Sequence, residues 1–244
     1  MIERPKDTLP LLLFLPNVIT ILGLCAGLTA IRFIMVGRFD FAVMLIIFAA
    51  VIDGLDGLLA RRLNAQSTIG AELDTLADFL SFGVAPALLV FQFALAGTYS
   101  TNWIFVLVYT ICACLRLARF NVHRDAPQPV GKPHFIGVPA PGGALLALLP
   151  VFLTLQGTLD ATNFPMAYGV YLGLVGVLMT SRVPTLSSKA VRVPRDKSKL
   201  VLIGAAIFMG LLVTRFWLLM VLVGIAYMCV ILWNVFNYLR GRPI

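Results

Sequence analysis

The 244 residues are 60% hydrophobic and 12% charged, which leaves too little polar surface to cover a soluble globule. A net charge of +8 raises the question of nucleic acid, but Lys and Arg lie in short segments between apolar runs. That pattern excludes a nucleic-acid-binding arm and fits membrane orientation and anionic lipid or diphosphate groups. The four cysteines (Cys25, Cys112, Cys114, Cys229) all lie in apolar runs without zinc-ligand spacing, so they read as buried thiols.

Residues 1–16 read as a cytosolic or interfacial lead-in, because Pro10 and Pro16 break an apolar stretch already too short to cross. It has no signal-peptide cleavage pattern and is expected to remain in the mature chain. Apolar runs of about twenty residues follow, each long enough to span a hydrocarbon core as a helix. Spans are expected near 17–36, 41–63, 68–95, 101–120, 139–156, 164–181, 199–214 and 216–238. The fold class is thus an all-α integral membrane protein of about eight transmembrane helices. The last two are read as a hairpin, since only Arg215, Phe216 and Trp217 separate them. The chain is expected to be one polytopic catalytic domain: the lead-in, a six-helix core over 17–181, and two C-terminal helices over 199–238.

Basic residues fall in alternate loops: Arg61 and Arg62; Arg116, Arg119, Arg124 and Lys132; then Arg182, Lys189, Arg192, Arg195, Lys197 and Lys199. The intervening loops, AGTYSTN and QGTLDATN, carry none, while Arg38 and Arg215 are single exceptions. The positive-inside rule then puts the first set and both termini in the cytoplasm. Lys189, Arg192 and Arg195 are expected to meet lipid headgroups. His123 and His134 are expected to be ordinary loop histidines.

The anomaly is acidic. Of eleven carboxylates, Asp53, Asp56, Glu72, Asp74 and Asp78 fall within two apolar runs, where an unpaired charge is costly and marks function. At 100° per residue, Asp53, Asp56, Gly57, Ala60 and Arg61 share an arc of about 140°, and Gly70, Asp74, Asp78 and Ser81 share about 80°. Glu72 points away and is left out. The two stripes lie about 13 to 15 Å inside the same face of antiparallel neighbours. Facing aspartates make an all-oxygen pocket suited to Mg2+ or Mn2+, and four carboxylates call for about two ions. Gly57, Ala60 and Gly70 leave room for a ligand, and Arg61 is a fixed donor for phosphate oxygens.

The run DGLDGLLARRLNAQSTIGAELDTLAD fits D-x2-D-G-x2-A-R-x8-G-x3-D-x3-D at all eight fixed positions, and so resembles the signature of the CDP-alcohol phosphotransferase family. The resemblance implies a helical membrane enzyme with a two-metal centre at Asp53, Asp56, Asp74 and Asp78, in which Asp78 is also general base. LPNVITILGLCAG, RLARFN, HFIGVPAPGGA and PTLSSKAVRVPR resemble the bacterial branch that uses L-serine. It implies phosphatidyl transfer from CDP-diacylglycerol to L-serine with release of CMP, at the cytoplasmic side of a bacterial-type inner membrane, by a homodimer. Asn17 and Thr20 are candidates for the nucleotide or for capping the first helix. Arg116, Arg119 and Asn121 are candidates for L-serine, with the arginines equally readable as membrane-edge charges. Alternatives are another alcohol (glycerol 3-phosphate, inositol, choline) and, more distantly, a divalent-cation or proton-coupled transporter. No motif gives the last two helices a role.

Overall fold

A computed structural model describes residues 14–63, 65, 67–96, 102–124, 135–181, 184–185 and 198–240. Most of the lead-in, Lys132, His134, Arg182, Lys189, Arg192, Arg195 and Lys197 lie outside them, as do the side chains of His123, Arg124 and Lys199.

The chain is all-α and multi-pass. Helix α1 (Leu15–Met35) and α2 (Phe39–Arg62) turn through Gly37, and α3 (Thr68–Asp78) returns beside them. Arg38, one of the exceptions to the charge pattern, has local partners at this corner: it pairs with Asp40 at 3.5 Å and lies over the Phe41 ring. Ser67 caps α3, its Oγ accepting from the Gly70 N–H at 3.0 Å. The helix then runs on without interruption to Leu95 through α4 (Ala85–Val90), with wider π turns at Phe79–Val84 and Phe91–Leu95.

The first π turn has an identifiable chemistry. Pro86 lacks the N–H that the Phe82 carbonyl would accept in an α-helix, and the Ala85 N–H donates five residues back, to Leu80. The freed Phe82 carbonyl accepts instead from Tyr109 Oη of α5 (Trp103–Arg124), at 2.9 Å in a fully buried contact. Asp78 therefore sits at the end of a regular helix, directly before a turn locked by the neighbouring span.

The region expected as one span at 139–156 is two helices, α6 (Ala140–Ala147) and α7 (Leu149–Gln156), meeting at Leu148. Pro150 removes the donor for the Leu146 carbonyl, and Tyr171 Oη supplies one at 2.7 Å, while Tyr168 Oη bonds the Ala147 carbonyl at 3.1 Å. Both tyrosines come from α8 (Pro165–Thr180). Gly157 ends α7 in the left-handed region at φ 81°, where a Cβ would be strained. Gly169, Gly173 and Gly176 bring α8 against α5; a Cβ on Gly176 would lie 2.9 Å from Tyr109 Cα. Strands β1 (Phe135–Ile136) and β2 (Pro184–Thr185) form one two-residue antiparallel pairing.

Helices α9 (Ser198–Thr214) and α10 (Phe216–Leu239) are separated at Arg215, the break the sequence suggested. Every α9 residue from Leu202 to Gly210 is exposed, and α10 packs mainly on α7, where Gly224 admits Leu149. Among the described residues, five helices are long and apolar enough to cross a membrane: Leu15–Met35, Phe39–Arg62, Thr68–Leu95, Trp103–Val122 and Phe216–Asn237. The other three expected spans are shorter helices, and the break at Leu148 is the reason for one of them.

Candidate metal and substrate cleft

The cleft opens where α1, α2 and α3 converge. Its back is built of small residues on α1: Gly23 faces Ile52, and a Cβ on Gly27 would collide with Ser81 Oγ. That close approach is what brings the acidic faces of α2 and α3 together across α1. Asp53, Asp56, Asp74 and Asp78 line one small pocket with Thr20, Gly23 and Ser81.

Asp53, Asp56 and Asp74 each offer an oxygen within 4.8 Å of the others, a separation that one or two hard cations bridge. Asp78 completes the wall and acts electrostatically on Asp53. Asp56 is the least exposed of the four, at 5%, and Thr20 Oγ1 fixes it with a 2.6 Å bond to Oδ2. A carboxylate locked in this way keeps one lone-pair direction aimed into the cleft. The chemistry of the donor set, all oxygen and anionic at a site ringed by apolar helices, fits divalent metal.

Thr20 belongs to the cleft, although not as a helix cap. Helix α1 begins at Leu15, with no side-chain cap, and Thr20 lies inside it, sharing its proton between the Pro16 carbonyl and Asp56. Asn17 is also inside α1, and a Cβ on Gly70 would lie 2.6 Å from its Oδ1. The room at Gly70 is thus taken by the Asn17 carboxamide and Ser67. Gly57 differs: nothing lies within 4 Å of a Cβ there except Arg61 Nη2 at 3.9 Å, so its face of α2 is open. Ala60 is half-buried on that face, and Arg61 is exposed at its end.

The three candidates for L-serine separate. Arg116 is largely buried and interacts electrostatically with Asp78 and Asp53, which is not the environment of a membrane-edge arginine. Arg119 Nη1 donates to the Thr180 carbonyl at 2.9 Å, satisfying an end group of α8. Asn121 accepts from Thr75 Oγ1 at 3.0 Å and donates to Glu72 at 3.5 Å, tying α5 to α3. Glu72 faces this contact, and the three-aspartate cluster is formed by Asp53, Asp56 and Asp74.

Sequence reasoning missed Gly23, Gly27 and Tyr109. The first two carried a signal, the small-x-x-x-small spacing in GLCAG. Tyr109 carried none, because its partner is a carbonyl freed by Pro86 on another helix.

A family model described as CDP-alcohol phosphatidyltransferase matches residues 13–181. A CDP-diacylglycerol–serine O-phosphatidyltransferase of Mycobacterium leprae is 36% identical over 248 residues, covering 100% of this chain and 82% of that protein. The protein of the same name from Mycobacterium tuberculosis strain H37Rv is 37% identical over 94% of this chain and 81% of its own length. A third, from Bacillus subtilis, is 38% identical over 56% of this chain and 75% of its own.

Proposed function

Since the chain belongs to the CDP-alcohol phosphatidyltransferase family, we propose that it transfers the phosphatidyl group of CDP-diacylglycerol to L-serine, releasing phosphatidylserine and CMP. The observation that carries the reading is the meeting of Asp53, Asp56 and Asp74, beside Asp78, in a cleft between membrane helices. The relatives' names supply the substrates, and the chemistry is what this arrangement suits.

Asp53, Asp56, Asp74 and Asp78 would hold the divalent metal, Mg2+ or Mn2+ and two ions in our reading, whose charge offsets that of the diphosphate and its transition state. Thr20 keeps Asp56 turned inward. Arg61, at the open end of the Gly57 face, donates to phosphate oxygens, and the small side chain of Ala60 leaves that face open to the ligand. Asn17, held over Gly70, borders the nucleotide side with Thr20. Asp78 takes the proton of the serine hydroxyl. The hydroxyl oxygen bonds to the lipid-side phosphorus, and the phosphorus–oxygen bond to CMP breaks. The electron pair leaves with CMP, and the proton rests on Asp78 until solvent removes it. Arg116 holds the serine carboxylate near that base, while Arg119, on the Thr180 carbonyl, and Asn121, between Thr75 and Glu72, fix α5 against its neighbours.

The same reading makes residues 17–181 the catalytic core and 199–238 an addition to it. It places the cleft at the cytoplasmic face of the inner membrane, with both termini on that side, because Arg61 and Arg62 end α2 where Asn121, near the end of α5, meets α3. A homodimer is part of the proposal. CMP release from CDP-diacylglycerol, measured with L-serine, glycerol 3-phosphate, inositol and choline in turn, tests it. Stimulation by L-serine alone is expected; release driven by another alcohol and not by L-serine overturns it.

A further inference from the structure

Among the described residues, the buried polar atoms without a hydrogen-bond partner include Ser81 Oγ in the carboxylate pocket, Arg116 Nε on α5 and Tyr227 Oη on α10. Leaving such groups unpaired inside a protein is unfavourable, and a ligand that pairs them recovers the loss. Arg116 is the charge common to both neighbourhoods, since it interacts electrostatically with Asp78, Asp53 and Tyr227.

The space around the phenol is built. Gly142 on α6 has no side chain where Tyr227 Oη comes in, and any Cβ there would strike the hydroxyl. A cavity of about 300 Å³ opens beside it, lined by Ile46, Ala50, Phe82, Pro141, Gly142 and Tyr227 among others. Phe82 also lines the carboxylate pocket, so the two spaces share a wall. Ala50 lies one turn before Asp53 on α2.

We infer that Tyr227 completes the acceptor site from outside the family-matched residues, donating with Arg116 to the carboxylate of the incoming L-serine. The inference rests on the reading of the function above. Four aspartates repel a free carboxylate, so the acceptor's anionic end must be held by donors set apart from them. A guanidinium supplies the charge and a neutral phenol the second donor, and the apolar walls strengthen both bonds. The phenol carries no charge to compete for the diphosphate.

The test uses the full chain in lipid–detergent micelles with Mg2+ or Mn2+, reading CMP release against L-serine and against CDP-diacylglycerol. Tyr227→Phe keeps the ring and removes the hydroxyl. It is expected to raise the KM for L-serine about tenfold, with kcat and the KM for CDP-diacylglycerol within about twofold, and to narrow discrimination against serinamide. Gly142→Ala, which displaces the phenol while leaving its hydroxyl, should move the same KM in the same direction. An unchanged KM for L-serine in Tyr227→Phe overturns the inference. So does a rise shared with CDP-diacylglycerol, or a loss of kcat that follows a loss of thermal stability. If the unaltered protein does not respond to L-serine, the proposed function fails; if it responds and Tyr227→Phe behaves identically, only this inference fails.

Discussion

Helices α1 and α9 are both apolar and both flank the molecule, yet they are used in opposite ways. Along α1, Thr20, Gly23, Ala26, Gly27 and Ala30 are buried against α2 and the span that begins with α3, and larger residues such as Val18, Leu22 and Leu28 face outward. Along α9, Leu202, Ile203, Ile207, Phe208 and Met209 are exposed, and a Cβ on Gly204 or Gly210 would meet nothing within 4 Å. Hydropathy does not separate the two helices. What separates them is whether the small residues meet a neighbouring helix at close range, as Gly23 meets Ile52 and Gly27 meets Ser81, because lipid competes well with large apolar side chains but cannot replace close backbone packing.

The sharpest way to break this comparison is to empty the cleft. Chelating divalent metal should abolish CMP release, and Mg2+ or Mn2+ should restore it; activity that survives chelation removes the metal from the reading. Asp78→Asn should lower kcat by about a thousandfold or more while CDP-diacylglycerol binding, measured by retention in metal-containing micelles, is kept. Asp53→Asn or Asp74→Asn should lose metal binding as well. Thr20→Val removes the bond that aims Asp56 and should weaken metal affinity about ten- to hundredfold, read as a rise in the concentration of Mg2+ giving half-maximal rate.

The smaller effects are on stability and test the packing contrast. Gly176→Leu drives a side chain into the Tyr109 backbone and should destabilise the protein by about 1–3 kcal/mol, seen as a lower melting temperature in detergent. Gly204→Leu on α9 should leave that temperature unchanged. Equal effects from the two would mean that α9 is packed as tightly as α8.

The acidic motif was legible because its chemistry depends on local spacing. Aspartates three and four residues apart share a helix face whatever surrounds them, so spacing alone groups Asp53 with Asp56 and Asp74 with Asp78. The span from 68 to 95 was legible for its length and apolarity. Other features depend on partners far away in sequence. A proline inside an apolar run does not announce which hydroxyl will take the orphaned carbonyl, and here Tyr109 and Tyr171 do so from other helices. Arg116 and Arg119 look alike in RLARFN, yet three residues of helical rotation send one toward the carboxylates and the other to the end of α8.

By itself, then, the sequence determined the membrane class and the two acidic stripes with Arg61 and their small neighbours, since periodicity and composition are properties of a segment, and the resemblance of its motif pointed to the family. Only the tertiary structure decided that Thr20 holds Asp56, that Asn17 fills the room at Gly70, that 140–156 breaks in two, and that α10 brings a buried phenol into the electrostatic neighbourhood of Arg116. Each of these turns on which helices touch, and the energy that selects those contacts comes from groups too far apart in the chain for any local pattern to record.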